Sequence, residues 1–536
     1  MHSISHKNVY CNLLDRCSRT STSRRIRGSV SSVCGNQNMP LTLLHIIRFV
    51  SMMLVYFRTS TSPYKLGRGC VGALRLFATT YRRDTGSKRR TTPKSYTAKK
   101  VDIHKTYENT AGAPKILNSN IPEPYAVLVP GKSHLFKIGN PTLYSGVINE
   151  LQGNPKPGDL ISVADHNYNV FAKGFYNPHS LYQVRLLTWK HQVTFNSTLP
   201  DILRHHIKSA IHKRTVLNLP SSQTNSYRLV NGEGDQLSGL VVDILGENVV
   251  VQSSAIWIEQ YADTIVDILC DLLMVDRSRI VWKQSRARLE KDGIDKLEQK
   301  EIGNMGKLVD KIATSIRDTD ILENGLRYLL TSETEQKTGF YCDQRENRLM
   351  LRALCQDKTV LDTYCYTGGF TLNALLGGAS HVTAVDSSKA AIKSARKNVA
   401  ENMLDTSRVS FMEGNALQAM LDLHTEGKTF DIVICDPPRL APKRKDLAQA
   451  GLKYQSINKA AMKLVNKEQG GLLLTCTCSA PMTNDQGMFL MILQEAAKAA
   501  QREITLLSVS GAAADHALSP VYQEGRYLTA VLLFVR

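Results

Sequence analysis

From Gly339 onward, short apolar runs alternate with amphipathic stretches, a rhythm that is typical of β-strands joined by helices. The apolar runs predict seven strands, at Thr359–Thr363, His381–Asp386, Arg408–Met412, Phe430–Cys435, Gly471–Cys476, Glu503–Ser508 and Tyr527–Val535. Helical periodicity predicts helices at Gly369–Leu376, Lys389–Asn402, Tyr454–Leu464 and Asp485–Gln501. The pattern therefore predicts an α/β fold with a seven-stranded, doubly wound sheet.

Two other patterns precede this sheet. Short alternating segments separated by Pro and Gly turns predict a small β-barrel, with strands at Ala126–Val129, Asp159–Val163, Val170–Phe175 and Gln183–Thr188. A central α/β segment follows, with helices at Pro200–Leu217 and Ala255–Met274 and strands at Leu229–Val230, Gly239–Ile244 and Asn248–Gln252. We predict domains at 121–195, 196–330 and 331–536.

The formal charge of +19 is concentrated near the start of the chain. Residues 1–100 contain 19 Lys or Arg but only two acidic residues, and they are rich in Ser and Thr, which is typical of a targeting leader to a mitochondrion or plastid. Residues 1–120 are predicted to be this leader and a disordered basic linker. A start codon assigned too far upstream is the alternative.

The longest apolar run of the leader, Leu41–Phe57, has 17 residues and includes His45 and Arg48. A membrane-spanning helix needs about 20 predominantly apolar residues, so we expect no stable membrane association. A signal anchor, or the first part of a two-step plastid leader, is the alternative for this run. The sequence leaves the oligomeric state open.

A strand, a glycine turn and a helix follow one another between Val360 and Phe370. Glycines at such a turn let the backbone approach a ligand at the start of a helix, and an acid ending the next strand can accept hydrogen bonds from ribose hydroxyls. This order of acid-ended strands predicts S-adenosylmethionine as the cofactor, with an NAD site or an empty scaffold as alternatives. The predicted cofactor-binding residues are Asp362, Tyr364, Gly368, Gly369, Phe370, Asp386, Ser387, Asn415 and Asp436.

Candidate chemistry lies at the ends of the fourth and fifth strands of this sheet. Asp436-Pro437-Pro438 ends one, and Thr475–Ser479 ends the other. A thiolate beside the acid could attack carbon 6 of a pyrimidine and make carbon 5 a nucleophile. Cys476 and Cys478 have the same strand parity, so alternation does not choose between them, and buried inert cysteine is the alternative for both. No second Cys/His pair lies nearby, so no metal site is predicted.

Several spaced motifs together resemble the bacterial RlmI-type large-subunit rRNA cytosine-5 methyltransferases. They are Lys337-Thr338-Gly339-Phe340-Tyr341-Cys342-Asp343-Gln344-Arg345, Tyr366-Thr367-Gly368-Gly369-Phe370, Asp436-Pro437-Pro438, Cys478-Ser479, Met482-Thr483 and Ala513-Ala514-Asp515-His516. The resemblance runs from about Tyr125 to Arg536. It implies a PUA barrel, a central α/β domain and a Rossmann-like methyltransferase sheet.

The family's nucleophile directly precedes a serine, so the resemblance implies that Cys478 is the catalytic cysteine, with Asp436 holding the base. RNA, most simply rRNA, is the implied partner. We therefore expect an organellar enzyme that makes 5-methylcytosine. The alternatives are methylation of a guanine or adenine amine, and a non-catalytic ribosome-assembly factor that binds RNA through the barrel.

Overall fold

The computed structural model describes residues 124–297, 312–332 and 339–536. The predicted leader and linker lie outside these residues, as do Lys337 and Thr338 of the first family motif. Within the described ranges, no helix has the length and apolar character that crossing a membrane requires.

The first sheet contains six strands. They are β1 (Tyr125–Leu128), β2 (Thr142–Tyr144), β3 (Ile148–Gln152), β4 (Leu160–Ala164), β5 (Val170–Tyr176) and β6 (Tyr182–Trp189), with helix α1 at His134–Lys137. Their order is β2-β6-β5-β4-β1-β3. The four predicted strands are present with ends shifted by at most one residue, whereas β2 and β3 were not predicted. The reason is that β2 has only three residues and β3 (sequence INELQ) has no apolar run.

The central segment forms a four-stranded sheet in the order β10-β9-β8-β7 and a β11-β12 hairpin. Its elements are α2 (Leu199–Val216), β7 (Ser226–Asn231), β8 (Leu240–Leu245), β9 (Asn248–Ser253), α3 (Ile256–Gln260), α4 (Ala262–Leu273), β10 (Ile280–Gln284), α5 (Arg286–Asp292), β11 (Thr319–Glu323) and β12 (Leu326–Leu330). The prediction of one helix over Ala255–Met274 is wrong, because the helix breaks at Tyr261. The break coincides with packing on the first sheet: the Phe175 ring lies 4.4 Å from Trp257 and 5.7 Å from Tyr261.

The third sheet has seven strands in the order β15-β14-β13-β16-β17-β19-β18, all parallel except β19. Its elements are α6 (Arg345–Arg352), β13 (Thr359–Thr363), α7 (Gly369–Leu376), β14 (His381–Asp386), α8 (Lys389–Glu401), β15 (Val409–Glu413), α9 (Ala416–Thr425), β16 (Ile432–Cys435), α10 (Leu447–Leu464), β17 (Gly471–Thr477), α11 (Ala480–Asn484), α12 (Gln486–Ala500), β18 (Ile504–Ser510) and β19 (Thr529–Val535). The predicted strands are all present, with ends within two residues. Helix α10 begins at Leu447 rather than Tyr454, because Gly451 is buried inside the helix against α12 without interrupting it.

The loop between β18 and β19, residues 511–528, contacts all three sheets. Asp515 in this loop accepts hydrogen bonds from the Arg345 guanidinium at 3.0 and 2.9 Å and from the Arg228 backbone N–H at 2.8 Å. Further along, Glu524 accepts from the Tyr144 hydroxyl at 2.9 Å. The loop therefore fixes the first two sheets against the sheet that carries the candidate site.

Candidate active site

The loop from β13 to α7 has an unusual backbone. Tyr364, Tyr366 and Gly368 have φ angles of 63°, 49° and 89°. Two left-handed non-glycine residues so close together are uncommon and cost energy, and such conformations concentrate at ligand sites. Helix α7 begins directly after Gly368 with no side-chain cap, so its first backbone N–H groups can bind a ligand.

The two glycines of this loop have different roles. Gly368 is left-handed, and a Cβ there would lie 2.7 Å from Leu372 Cδ1. A Cβ on Gly369 would lie 2.6 Å from Nη1 of Arg348, a buried arginine of α6. Glycine at 369 is therefore required by packing against α6, independently of any approach to a cofactor.

Asp386, at the end of β14, holds the loop in place. Its Oδ2 accepts a hydrogen bond from the Tyr366 backbone N–H at 3.0 Å, and its Oδ1 accepts from the Ser388 N–H at 2.9 Å. Each carboxylate oxygen has a second lone pair. Asp386 can therefore accept hydrogen bonds from a ribose while it organises both loops.

Asp362 is almost fully buried at the end of β13. Thr371 donates to its Oδ2 at 2.6 Å, whereas its Oδ1 is buried without a hydrogen-bond partner among the described residues. Burial raises the pKa of Asp362 to about 7, an effect that the Thr371 hydrogen bond partly opposes. Asp362 Oδ1 can accept a hydrogen bond from a positive group of a ligand, and the free N–H groups at the start of α7 can bind a negative group. The two features together therefore fit a ligand that has both charges.

The other predicted cofactor residues differ in accessibility. Tyr364 is half-buried and Ser387 is exposed, whereas the Phe370 ring is 6% exposed and packs in the core. Asn415 is exposed, and its Oδ1 caps α9 by accepting from the Gln418 N–H at 3.1 Å. Phe370 can therefore offer a ligand only its backbone, and Asn415 already uses one lone pair of its oxygen.

The two candidate cysteines lie in different environments. Cys476 is fully buried within β17, and burial raises the pKa of its thiol well above the usual range. Cys478 is half-buried, and its Sγ lies 3.8 Å from the carbonyl oxygen of Pro437. Strand β17 ends at Thr477, so Cys478 lies beyond the strand and is not constrained by its alternation. Geometry therefore favours Cys478 as the accessible thiol beside the Asp-Pro-Pro turn.

Gln344 and Tyr341 also lie in the site. Neither was among the predicted site residues, because their residue types alone indicate no role. Gln344 Nε2 donates to Asp436 Oδ2 at 3.0 Å, which brings a segment ahead of β13 into the site. The Tyr341 ring lies 5.4 Å from the Tyr366 ring at 80°. The pKa of Tyr341 is raised, mainly by burial and then by Tyr366 and other neighbours including Cys478 and Asp436. The signal in the sequence was the first family motif, which contains both residues.

The turn after β17 is held by hydroxyl groups. The Tyr454 hydroxyl lies 2.8 Å from Thr477 Oγ1 and 3.3 Å from Ser479 Oγ, and Ser479 Oγ accepts from the Ala441 N–H at 3.1 Å. This network joins the loop after Asp-Pro-Pro to the residues that flank Cys478. In the described part of the chain, no group of three or more His, Cys, Asp or Glu side chains is arranged to hold a metal ion.

Comparison with known proteins identifies the class to which this protein belongs. A family of S-adenosylmethionine-dependent methyltransferases matches residues 311–506, and a PUA-like domain family matches residues 127–189. A methyltransferase solved as a complex with SAH has a TM-score of 0.63 at 19% identity, covering 77% of this chain and 100% of that one. A SAM-dependent methyltransferase from Streptococcus mutans has a TM-score of 0.61 at the same identity and coverage. The protein is thus an S-adenosylmethionine-dependent methyltransferase with a PUA-like domain.

Relatives with higher identity define the family. The ribosomal RNA large subunit methyltransferase I of Salmonella arizonae is 32% identical over 412 residues, covering 76% of this chain and 96% of the relative. The protein of the same name from Shewanella frigidimarina is 32% identical over 410 residues, covering 76% and 98%. The chain belongs to the ribosomal RNA large subunit methyltransferase I family.

The residues present fit the cofactor of this class. The uncapped start of α7 suits the carboxylate of S-adenosylmethionine, the unsatisfied Oδ1 of Asp362 suits a donor group, and Asp386 suits the ribose. The methyl donor would then lie between the β13–α7 loop and the turn that carries Asp436.

Proposed function

We propose that this protein methylates carbon 5 of a cytosine in large-subunit ribosomal RNA, with Cys478 as the nucleophile and Asp436 as the residue that holds the base. The observation that carries the proposal is the contrast between Cys478, half-buried next to the Asp-Pro-Pro turn, and the fully buried Cys476. The names of the relatives support ribosomal RNA as the substrate.

The target base must leave its stack to reach a thiol at this depth. The Cys478 thiolate adds to carbon 6, forming an S–C6 bond, and the electrons of the C5=C6 double bond become available at carbon 5 for the new bond to the methyl group. Asp436, oriented by Gln344, accepts a hydrogen bond from the exocyclic amino group of the cytosine and so holds the ring in place. When bound, S-adenosylmethionine supplies the methyl group that carbon 5 takes up. Loss of the carbon-5 proton to a base then restores the double bond and expels the thiolate.

Methylation of an exocyclic amine is the main competing function. Such a reaction needs no thiol, and enzymes of that type usually have an aromatic residue after the two prolines, where this chain has Arg439. A half-buried thiol beside the acid therefore favours the pyrimidine reaction. The assembly-factor alternative is disfavoured by the intact cofactor residues of the β13–α7 loop.

The test uses RNA in which cytosine is replaced by 5-fluorocytosine. This base has no removable proton at carbon 5, so the covalent protein–RNA adduct should accumulate and survive denaturing electrophoresis. Cys478→Ala should abolish both the adduct and methyl transfer to normal RNA while S-adenosylmethionine still binds in calorimetry. Cys476→Ala is the matched control and should retain both. Methyl transfer by the Cys478→Ala protein would instead support the amine reaction.

We also propose that the protein works in a mitochondrion or plastid. The support is the composition of residues 1–100, which are basic, Ser/Thr-rich and nearly free of acids. A fluorescent protein fused after residue 100 should enter one of these organelles, and a signal confined to the cytosol would contradict this location. Bisulfite sequencing of organellar ribosomal RNA with and without the protein would then identify the modified cytosine.

A further inference from the structure

The loop between β16 and α10 has a concentrated positive charge. Residues 439–445, the basic loop, include four basic side chains: Arg439, Lys443, Arg444 and Lys445. All four residues are exposed. Among the described residues, no carboxylate oxygen lies within 4.0 Å of the nitrogen atoms of these four side chains. The basic loop therefore presents to solvent a set of charges that no ion pair neutralises.

Exposed arginines elsewhere in the chain show the contrast. Arg204 forms an ion pair with Asp271, and Arg327 forms one with Asp320 at 3.0 Å. The acid that follows the basic loop, Asp446, instead accepts a hydrogen bond at its Oδ2 from the backbone N–H of Lys443 at 2.9 Å. Asp446 therefore organises the backbone of the loop without pairing with one of its cationic side chains.

The backbone of the basic loop is held at both ends. Ala441 is fully buried, and its N–H donates to Ser479 Oγ at 3.1 Å. Two hydrogen bonds close the other end, because the Asp446 N–H also donates to the Lys443 carbonyl at 3.0 Å. The basic side chains are therefore carried by an ordered backbone, and less conformational entropy is lost when they bind a ligand.

These contacts also place the basic loop next to the reacting groups. The loop follows Asp436 directly in the chain, and the carbonyl oxygen of Pro437 lies 3.8 Å from the Cys478 thiol. Ser479, which accepts the hydrogen bond from Ala441, is the residue after Cys478. The basic loop is thus joined to both turns of the candidate active site, the one with the acid and the one with the thiol.

Arg439 folds along the loop that it begins. Its Nη2 donates to the carbonyl oxygen of Pro442 at 3.0 Å, which brings the guanidinium to the backbone just before Lys443. This bond uses one of the five N–H donors of the arginine and leaves the others for a ligand. Like charges that are gathered without acids repel one another, and a bound anion turns that repulsion into attraction.

We propose that the basic loop binds the phosphate backbone of the RNA strand at the nucleotides that flank the target base. A base that leaves its stack to reach the thiol keeps its flanking phosphates outside the pocket, on the side where the exposed cations lie. Lysine and arginine bind phosphates without reading the sequence, so the loop would position the strand and would not select the base. This inference rests on the proposed function for the identity of the polymer.

The test is the salt dependence of RNA binding by the full-length protein. The probe is a fluorescein-labelled oligocytidylate of about 20 nucleotides, and its affinity is measured over a series of potassium chloride concentrations. The double variant Arg444→Gln, Lys445→Gln should reduce the slope of log K against log salt by about 1.4, because each phosphate contact on a single strand contributes about 0.7. The double variant Arg444→Lys, Lys445→Arg should retain the slope, because both charges remain.

The matched control is the double variant Lys393→Gln, Lys397→Gln on helix α8. Both lysines are exposed, and neither forms an ion pair with a carboxylate of the described residues, so this variant removes the same net charge from another part of the surface. Its slope should equal that of the wild type. Calorimetric binding of S-adenosylmethionine checks that each variant is folded.

Three results would overturn the phosphate site: an unchanged slope in the Arg444→Gln, Lys445→Gln protein, an equal reduction in this protein and in the α8 control, or a wild type that shows no salt-dependent binding of the probe. An equal reduction would show that net charge alone acts. A reduced slope confined to the loop variant, together with a wild type that transfers no methyl group to ribosomal RNA, would overturn the proposed function and retain the site.

Discussion

Gln344 Nε2 and Asp436 Oδ2 are 3.0 Å apart, and this hydrogen bond connects a segment ahead of the seven-stranded sheet with the acid at its centre. The amide orientation is fixed from behind, because Asn347 Nδ2 donates to Gln344 Oε1 at 2.6 Å. Gln344 is buried, so a neutral donor reaches the carboxylate in a place where water has little access. The acid is thereby oriented by a residue that is itself held in one orientation.

Gln344→Ala should therefore slow methyl transfer without weakening cofactor binding. A hydrogen bond to a charged group contributes about 1.5–3 kcal/mol, so kcat should fall roughly tenfold to a hundredfold. Steady-state kinetics with a saturating methyl donor measures the effect. Gln418→Ala, on the exposed side of α9, is the control and should leave kcat unchanged. A wild-type kcat in the Gln344→Ala protein would show that Asp436 does not depend on this contact.

Asp386→Asn should weaken S-adenosylmethionine binding by about 1–3 kcal/mol, because it replaces an acceptor that also orients the Tyr366 and Ser388 N–H groups. Isothermal calorimetry measures the affinity. Asp405→Asn is a matched control, since Asp405 likewise accepts from a backbone N–H, that of Ser407. Asp405 precedes the first residue of β15, whereas Asp386 is the last residue of the parallel strand β14, so the two acids lie at opposite edges of the sheet. Equal affinities in the two variants would place the ribose elsewhere.

Asp362 should make stability depend on pH. Its pKa is about 7 in the folded protein, raised by burial, and about 3.9 in an unfolded chain. The folded state therefore holds the proton more tightly than the unfolded chain. The resulting contribution to the free energy of unfolding is fully present below about pH 4 and is lost as the pH rises through 7. Over that whole range the free energy of unfolding falls by about 4 kcal/mol. Urea unfolding measures the free energy of unfolding at about pH 5 and about pH 8. The difference between these two values should be smaller in Asp362→Asn than in the wild type. An equal difference in the two proteins would show that Asp362 is not the group responsible.

Asp515→Asn should destabilise the protein strongly, because it breaks a buried pair with Arg345. Removing one partner of such a pair costs about 3–5 kcal/mol. Burial acts to raise the pKa of Asp515, but the interactions with His516 and Arg345 outweigh it and hold that pKa well below its usual range. This stabilisation is therefore present above about pH 4 and is lost as the pH falls below it. The exposed pair of Arg204 and Asp271 is the control: Asp271→Asn should change the free energy of unfolding by less than about 1 kcal/mol.

The parts of the fold that depend on local pattern could be predicted from the sequence, and those that depend on distant contacts could not. Strands β13 and β14 have their predicted bounds, because runs of buried apolar residues define them. The choice between Cys476 and Cys478 required knowing that β17 ends at Thr477, where it pairs with Thr529 of β19. No local sequence pattern around Thr477 indicates that Thr529 is its pairing partner. The same holds for Gln344 and Asp436, which are 92 residues apart.

The β18–β19 loop also limits how the chain can be divided. Besides Asp515 and Glu524, the loop offers the Ala517 carbonyl to Asn231 Nδ2 at 2.8 Å and packs so closely on Gly234 that a Cβ there would lie 1.9 Å from the Ala517 oxygen. Its contacts thus reach residues more than 280 positions earlier in the chain. A recombinant methyltransferase fragment beginning after β12 would expose the buried carboxylate of Asp515 without Arg228. A chimera with a foreign PUA-like sheet would lose Tyr144 and Tyr182, which both donate to Glu524, unless both sides of that contact were transplanted together.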